Sequence, residues 1–163
     1  MEPTTIFDFS KDSNLSQWFI EDDVVMGGRS SSSILLTKDG YGKFSGQISL
    51  ENNGGFASIR YRPGDINISG CEQIVLNVKG DGKRYQLRLS RTQQDRHSYI
   101  HYFETSGEWQ KIHLKLKDFY PTFRGRTLDL ENFNKDVINE IGFLIGNKKP
   151  QEFELLIDKI WLK

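Results

Sequence analysis

Residues 111–117 alternate without a break. Lys111, His113, Lys115 and Lys117 fall on one side, and Ile112, Leu114 and Leu116 on the other. A period of two with charges on one face describes a strand buried on a single side; a helix would scatter the same residues around its axis. The pattern recurs along the chain. Phe44, Gly46, Ile48 and Leu50 share a side, as do Ile74, Leu76 and Val78, and Tyr85, Leu87 and Leu89. Phe153, Leu155 and Ile157 repeat it, and Ile160 and Leu162 close the chain. Turn formers separate the runs: Asp39-Gly40, Asn53-Gly54-Gly55, Pro63-Gly64-Asp65 and Gly80-Asp81-Gly82. Asp81-Gly82, between two alternating runs, reads as a hairpin. Only Glu131–Glu140 offers helical spacing, through Phe133, Val137 and Ile141. Many short strands with frequent turns predict an all-β sandwich or barrel with at most one or two short helices.

The length, 163 residues, fits one domain over 1–163, and a chain of this size buries roughly 70% of its unfolded surface. Eleven Phe, six Tyr and three Trp supply the apolar area for a core, which excludes a disordered chain. Lys plus Arg and Asp plus Glu balance at 22 each, so no generic grip on nucleic acid or anionic lipid is expected. No apolar run approaches the roughly 20 residues of a membrane span, and no membrane insertion is expected. Residues 1–12 carry Glu2, Asp8 and Asp12, with neither an apolar h-region nor an arginine. They read as neither a secretory signal nor a transit peptide, so a cytoplasmic or already processed protein is expected.

Catalytic and cofactor motifs are missing from the sequence. There is no phosphate-binding loop, no dinucleotide glycine motif after a strand and no nucleophile elbow, so no cofactor is expected. Cys71 is the single cysteine and reads as a small buried hydrophobe beside the Ile74-Val75-Leu76 strand. His97 and His101 are four apart, but the run Ser98–Phe103 looks extended. Four strand residues span roughly 13 Å, too far for one metal. His97, His101 and His113 therefore read as surface residues, and no metal site is expected.

Three segments carry more polar chemistry than a plain sandwich needs. They are Trp18 to Ser30, containing Glu21-Asp22-Asp23; Leu50 to Arg60, containing Asn52-Asn53-Gly54-Gly55; and Lys79 to Arg88, containing Gly80-Asp81-Gly82 and Tyr85. Each joins a glycine turn to a charged or amide side chain beside an aromatic. Arg60 and Arg88 can fork onto carboxylates, with Asp22 and Asp23 as candidates. Two readings stand: a satisfied internal polar network, or a binding concavity formed by Trp18, Asp22, Asp23, Asn52, Asn53, Arg60, Tyr85 and Arg88. Asp22 and Asp23 as a catalytic pair would require the backbone to turn between them, because strand neighbours face opposite ways.

The ordered combination of DDVVMGGRS, LENNGGFASIR and GDGKRYQLRL resembles the complex I intermediate-associated protein family. The stretches Phe119–Arg126, Ile141–Ile145 and Phe153–Ile160 extend that resemblance over almost the whole chain. It implies a galactose-binding-like β-sandwich of jelly-roll type. It also implies a non-catalytic binding role, with a protein partner such as an assembly intermediate of NADH:ubiquinone oxidoreductase. The alternatives are a carbohydrate-binding module, with Trp18, Tyr61, Tyr85 or Tyr102 stacking on sugar rings, and a hydrolase using Asp22 or Asp23.

Overall fold

A computed structural model describes residues 4–23, 28–51, 55–92 and 94–163. Among the described residues, fifteen strands follow one another. The first eight are β1 (Thr4–Asp8), β2 (Trp18–Ile20), β3 (Ser31–Leu36), β4 (Gly42–Ile48), β5 (Ala57–Tyr61), β6 (Ile66–Asn67), β7 (Gln73–Lys79) and β8 (Arg84–Ser90). The rest are β9 (Ser98–Glu104), β10 (Trp109–Lys115), β11 (Tyr120–Phe123), β12 (Arg126–Thr127), β13 (Val137–Ile138), β14 (Glu140–Ile145) and β15 (Gln151–Leu162). One sheet has the order β10-β7-β15-β4-β3, with β1 added along β15. The second runs β12-β11-β9-β8-β14-β5-β2, and β13 pairs with β6 in a short ribbon. All pairings are antiparallel.

The alternation read from sequence decides which side chains meet. Phe44 and Ile48 of β4, Ile74, Leu76 and Val78 of β7, and Leu155 and Ile157 of β15 enter the core. They share it with Ile59 of β5, Tyr85, Leu87 and Leu89 of β8, and Ile141 and Phe143 of β14. The chain is therefore a two-sheet β-sandwich, as the period of two requires. In β15 the inward residues change parity, from Phe153, Leu155 and Ile157 to Ile160 and Leu162. A bulge between Ile157 and Lys159 inserts the extra residue, Asp158, and keeps both halves facing inward. The Asp158 carbonyl accepts the Phe9 N–H at 2.9 Å, and its carboxylate accepts Asn77 Nδ2 at 2.8 Å.

Two local expectations are corrected. Residues 131–140 form no helix. Phe133 N–H donates to the Phe119 carbonyl, Asn139 N–H to that of Ser90, and Val137–Ile138 pairs with β6. Asn, Asp and β-branched residues dominate this stretch, so helix propensity is weak and neighbouring strands supply its hydrogen bonds. The turn at Gly80-Asp81-Gly82 is not a hairpin either, because β7 and β8 lie in different sheets. It carries the chain across the sandwich. Gly82 has φ +84°, and a side chain at Gly80 would collide with Thr105. Asp81 staples the crossing by accepting the Tyr85 hydroxyl at 3.0 Å and the Glu154 N–H at 2.8 Å.

His101 also departs from its expected surface position. It sits opposite Leu87 on the inward face of β9, half-buried, with its ring 5.3 Å from that of Phe119. Cys71 is partly buried against the core. Among the described residues, no helix is long and apolar enough to cross a membrane, and no group of three or more His, Cys, Asp or Glu side chains gathers to hold a metal.

Candidate functional site

The eight candidate residues separate by strand parity and by loop. Trp18 and Tyr61 are cross-strand partners on the inward face, with rings stacked 4.8 Å apart, and Phe7 and Phe9 close the cluster. Trp18 is 6% exposed, which places its ring in the core and away from any solvent-borne ligand. Tyr85 is fully buried on the inward face of β8. Burial, with the adjacent Asp81 charge, pushes its phenol pKa well up.

Asp22 and Asp23 hold loops. Asp23 accepts the Ser30 N–H on Oδ1 at 2.9 Å. Its Oδ2 accepts the Ser30 hydroxyl, the Gly55 N–H at 2.6 Å and the Phe56 N–H at 3.1 Å. Gly28 packs so close that a side chain there would collide with this carboxylate. Burial alone would raise the Asp23 pKa, but the four hydrogen bonds outweigh it and hold the carboxyl below the ordinary aspartate range. Asp22 accepts the Ser32 hydroxyl at 2.7 Å and the Ser58 N–H at 3.0 Å, both on Oδ1. For Asp22 burial wins, and its pKa is raised. Asn52 and Asn53, with the neighbouring Gly54, lie outside the described residues, as do Met26 and Gly27.

Of the six candidates that are described, Arg60 and Arg88 alone lie on the outer face of the seven-stranded sheet. Register places them in one row across six strands: Phe19 opposite Arg60, then Gly142, Arg88, Ile100 and Tyr120. A neighbouring row holds Ser58, Leu144, Gln86 and Tyr102. Arg60 does not pair with Asp22 or Asp23 as the sequence suggested. It binds Glu21 through Nε and Glu140 through Nη1 at 2.8 Å, and Arg62 Nε holds the other Glu140 oxygen at 2.7 Å. The loop position of Asp22 and Asp23 keeps both from this face, whereas β14 brings Glu140 beside it. Long side chains lie across the strands. The Arg62 guanidinium covers the Phe19 ring at 5.1 Å, and that of Arg84 covers Tyr102 at 4.1 Å. Beneath them Ile100, Leu144, Glu140 and Gln86 are buried although they point away from the core.

Arg88 is the least compensated member. Its Nη1 donates to Gln86 Oε1 at 3.0 Å, and Gln86 Nε2 in turn donates to the Tyr102 hydroxyl at 3.2 Å. Its Nε is buried without a partner, and no carboxylate among the described residues lies within 4 Å of it. Burial, reinforced by the nearby Arg60 charge and opposed by Glu140, pushes its pKa down to about 10, so it stays cationic at neutral pH. Sequence reasoning missed Gln86, Gly142, Glu140 and Arg62. The first and last were accessible from parity, since residues two along a strand share a face.

Residues 7–157 match the family model described as Complex I intermediate-associated protein 30 (CIA30). The chain belongs to that family. A mouse (Mus musculus) relative, "Complex I intermediate-associated protein 30, mitochondrial", is 24% identical over 95% of this CIA30-family chain and 54% of its own length. A Neurospora crassa protein of the same name is 25% identical over 74% of this chain and 51% of its own. This CIA30-family chain thus spans about half the length of the curated relatives it matches. Its fold is similar to that of a family 11 carbohydrate-binding module from Clostridium thermocellum, solved with a β-1,3-1,4-mixed-linked tetrasaccharide. The TM-score is 0.72 at 17% identity, over 98% of this chain and 94% of that one. A family 29 carbohydrate-binding module gives a TM-score of 0.58 at 11% identity, over 99% and 87%. At these identities the likeness shows the fold alone: a jelly-roll sandwich of galactose-binding-like type.

Proposed function

We propose that this CIA30-family chain is a non-catalytic binding domain that holds a protein partner on the outer face of its seven-stranded sheet. The partner class is an assembly intermediate of complex I, the association for which its relatives are named. The observation that carries the reading is the row from Phe19 through Arg60, Gly142 and Arg88 to Ile100 and Tyr120. It offers the exposed Phe19 ring and the half-buried Tyr120 ring beside guanidinium donors on adjacent strands, the mixture that anchors protein partners. The side chains suited to acid–base work are engaged elsewhere: Asp23 spends both oxygens on loop donors, which disfavours a hydrolase built on it.

The test uses Tyr102→Ala, a half-buried side chain of this face whose loss leaves the core intact. Capture of complex I assembly intermediates from solubilised respiratory membranes should fall at least tenfold, in line with an interface anchor worth about 1.4 kcal/mol or more. Lys111→Ala, on the edge strand β10 of the other sheet, should leave capture unchanged. Equal capture by both variants would refute the assignment of the face.

A second reading, carbohydrate binding, draws on the sugar-bound fold relative and on Tyr102 and Tyr120 standing on this face. Titration with the mixed-linked tetrasaccharide decides it: saturable heat abolished by Tyr102→Ala would favour this reading over the first. The Arg84 guanidinium already covers one face of the Tyr102 ring, which leaves less of it for a sugar.

A further inference from the structure

Three arginines and two glutamates meet on the outer face: Arg60, Arg62 and Arg88 with Glu21 and Glu140. Arg60 contacts both carboxylates, and Arg62 holds Glu140 while approaching Glu21 at 3.8 Å. One positive charge is left over, and it resides on Arg88, the member whose only side-chain hydrogen bond among the described residues goes to a neutral amide. We propose that Arg88 is a carboxylate-binding subsite that takes one Asp or Glu side chain of the bound protein. This deepens the reading of the outer face as the binding surface and rests on it.

The donors are arranged for an acceptor ligand. Gln86 gives its carbonyl to Arg88 and its N–H to Tyr102 Oη. An arginine can only donate, so this orientation of the amide is forced. Two consequences follow. The Tyr102 O–H proton remains a free donor. The Nη1 corner of Arg88 is occupied, which leaves the Nε/Nη2 edge, the side that pairs a carboxylate through two parallel bonds. Nε already lies unpartnered and sealed from water in the free chain. A carboxylate reaches this edge once the side chains covering Nε shift, and it then supplies the acceptor that the buried donor lacks, with little further loss of hydration.

The surroundings favour a monoanion. Gly142 lies between Arg60 and Arg88 in the row, so no side chain stands between the two arginines there. A Cβ at Gly142 would stand 2.8 Å from the Ile59 carbonyl oxygen, so backbone packing excludes a larger residue there. Glu140, paired with Arg60 and Arg62 beside Arg88, would repel a dianion such as phosphate more strongly than a monoanion. Ile100 stands opposite Arg88 on the next strand and gives it an apolar neighbour.

The experiment follows the Nε–H resonances of the arginines by 1H–15N NMR while capped pentapeptides are added. Ac-Gly-Gly-Glu-Gly-Gly-NH2 should shift the Arg88 Nε–H saturably, and the Gln version should require at least tenfold higher concentration for the same shift. Arg88→Lys should abolish the preference for Glu over Gln while the backbone amide spectrum away from β8 stays in place, because an ammonium cannot present the two-donor edge. Equal shifts with the Glu and Gln peptides, confined to the Tyr102 and Ile100 region, would overturn the carboxylate subsite while leaving the binding face standing. Shifts clustered on the other sheet would overturn the face and the subsite together. A response to trigalacturonate with none to the Glu peptide would overturn the protein side chain as the source of the carboxylate.

Discussion

Asp23→Asn should lower the unfolding free energy by about 2–3 kcal/mol, and Asp22→Asn should leave it within roughly 0.5 kcal/mol of the parent. The two neighbours differ in how their oxygens are used. Asp23 needs both, with Ser30 N–H on one and three donors on the other. An amide offers one acceptor oxygen and turns an NH2 toward donors, so buried N–H groups lose their partner. Asp22 accepts both of its bonds on one oxygen, which asparagine keeps while removing a charge that burial disfavours. Urea denaturation of the three proteins at neutral pH measures the difference. The pH dependence carries a definite sign. The folded Asp23 pKa lies below its ordinary value of 3.8, so its contribution is fully present above pH 3.8 and is lost as pH falls through the lower folded value. The gap between the parent and Asp23→Asn should therefore shrink on acidification below about pH 4. A gap of the same size at pH 7 and at pH 3 would contradict the role of the charged carboxylate.

Glu140→Ala should destabilise the fold by about 2–3 kcal/mol, and Arg62→Ala by no more than about 1 kcal/mol. Glu140 is the hub of the outer-face network. Its side chain is 7% exposed and holds two guanidinium groups, one on each oxygen. Removing it leaves Arg60 sharing Glu21 with Arg62, and it strips from Arg88 the charge that most favours its cationic form. The penalty stays below that of a fully buried pair because both arginines keep partial access to water. Removing Arg62 instead leaves Glu140 paired with Arg60. For a chain of this length the Glu140→Ala effect corresponds to a fall in Tm of about 5–10 °C. Thermal melts of the two variants give the comparison, and equal melting temperatures would show that the network does not centre on Glu140.

Parity made the sandwich legible and also marks where the site reading went astray. The runs Tyr85-Leu87-Leu89 and Ile112-Leu114-Leu116 named two buried faces, and the folded chain buries Tyr85, Leu87, Leu89, Leu114 and Leu116 as read. The same parity separates Tyr85 from Arg88, three residues apart on one strand and so on opposite faces. It likewise separates Trp18, which faces Tyr61 in the core, from Phe19, which faces Arg60 outside. Grouping residues by proximity in sequence mixed the two faces. Strand register stayed beyond the sequence. The pairing of Arg60 with Glu140 bridges 80 positions, and nothing local in either segment signals it. The crossing at Gly80-Asp81-Gly82 was hidden for a related reason: a glycine turn suits a hairpin and a sheet-to-sheet passage equally, and only the partners of β7 and β8 decide between them.

The outer face as the working surface is tested most directly by placing a photo-crosslinking benzoylphenylalanine at Phe19, an exposed aromatic at one end of the row, or at Trp109, an exposed aromatic on the other sheet. Irradiation in a respiratory membrane extract should join the Phe19 variant to a discrete complex I assembly intermediate and leave the Trp109 variant unlinked. Efficient linkage from position 109 with none from position 19 would contradict the account.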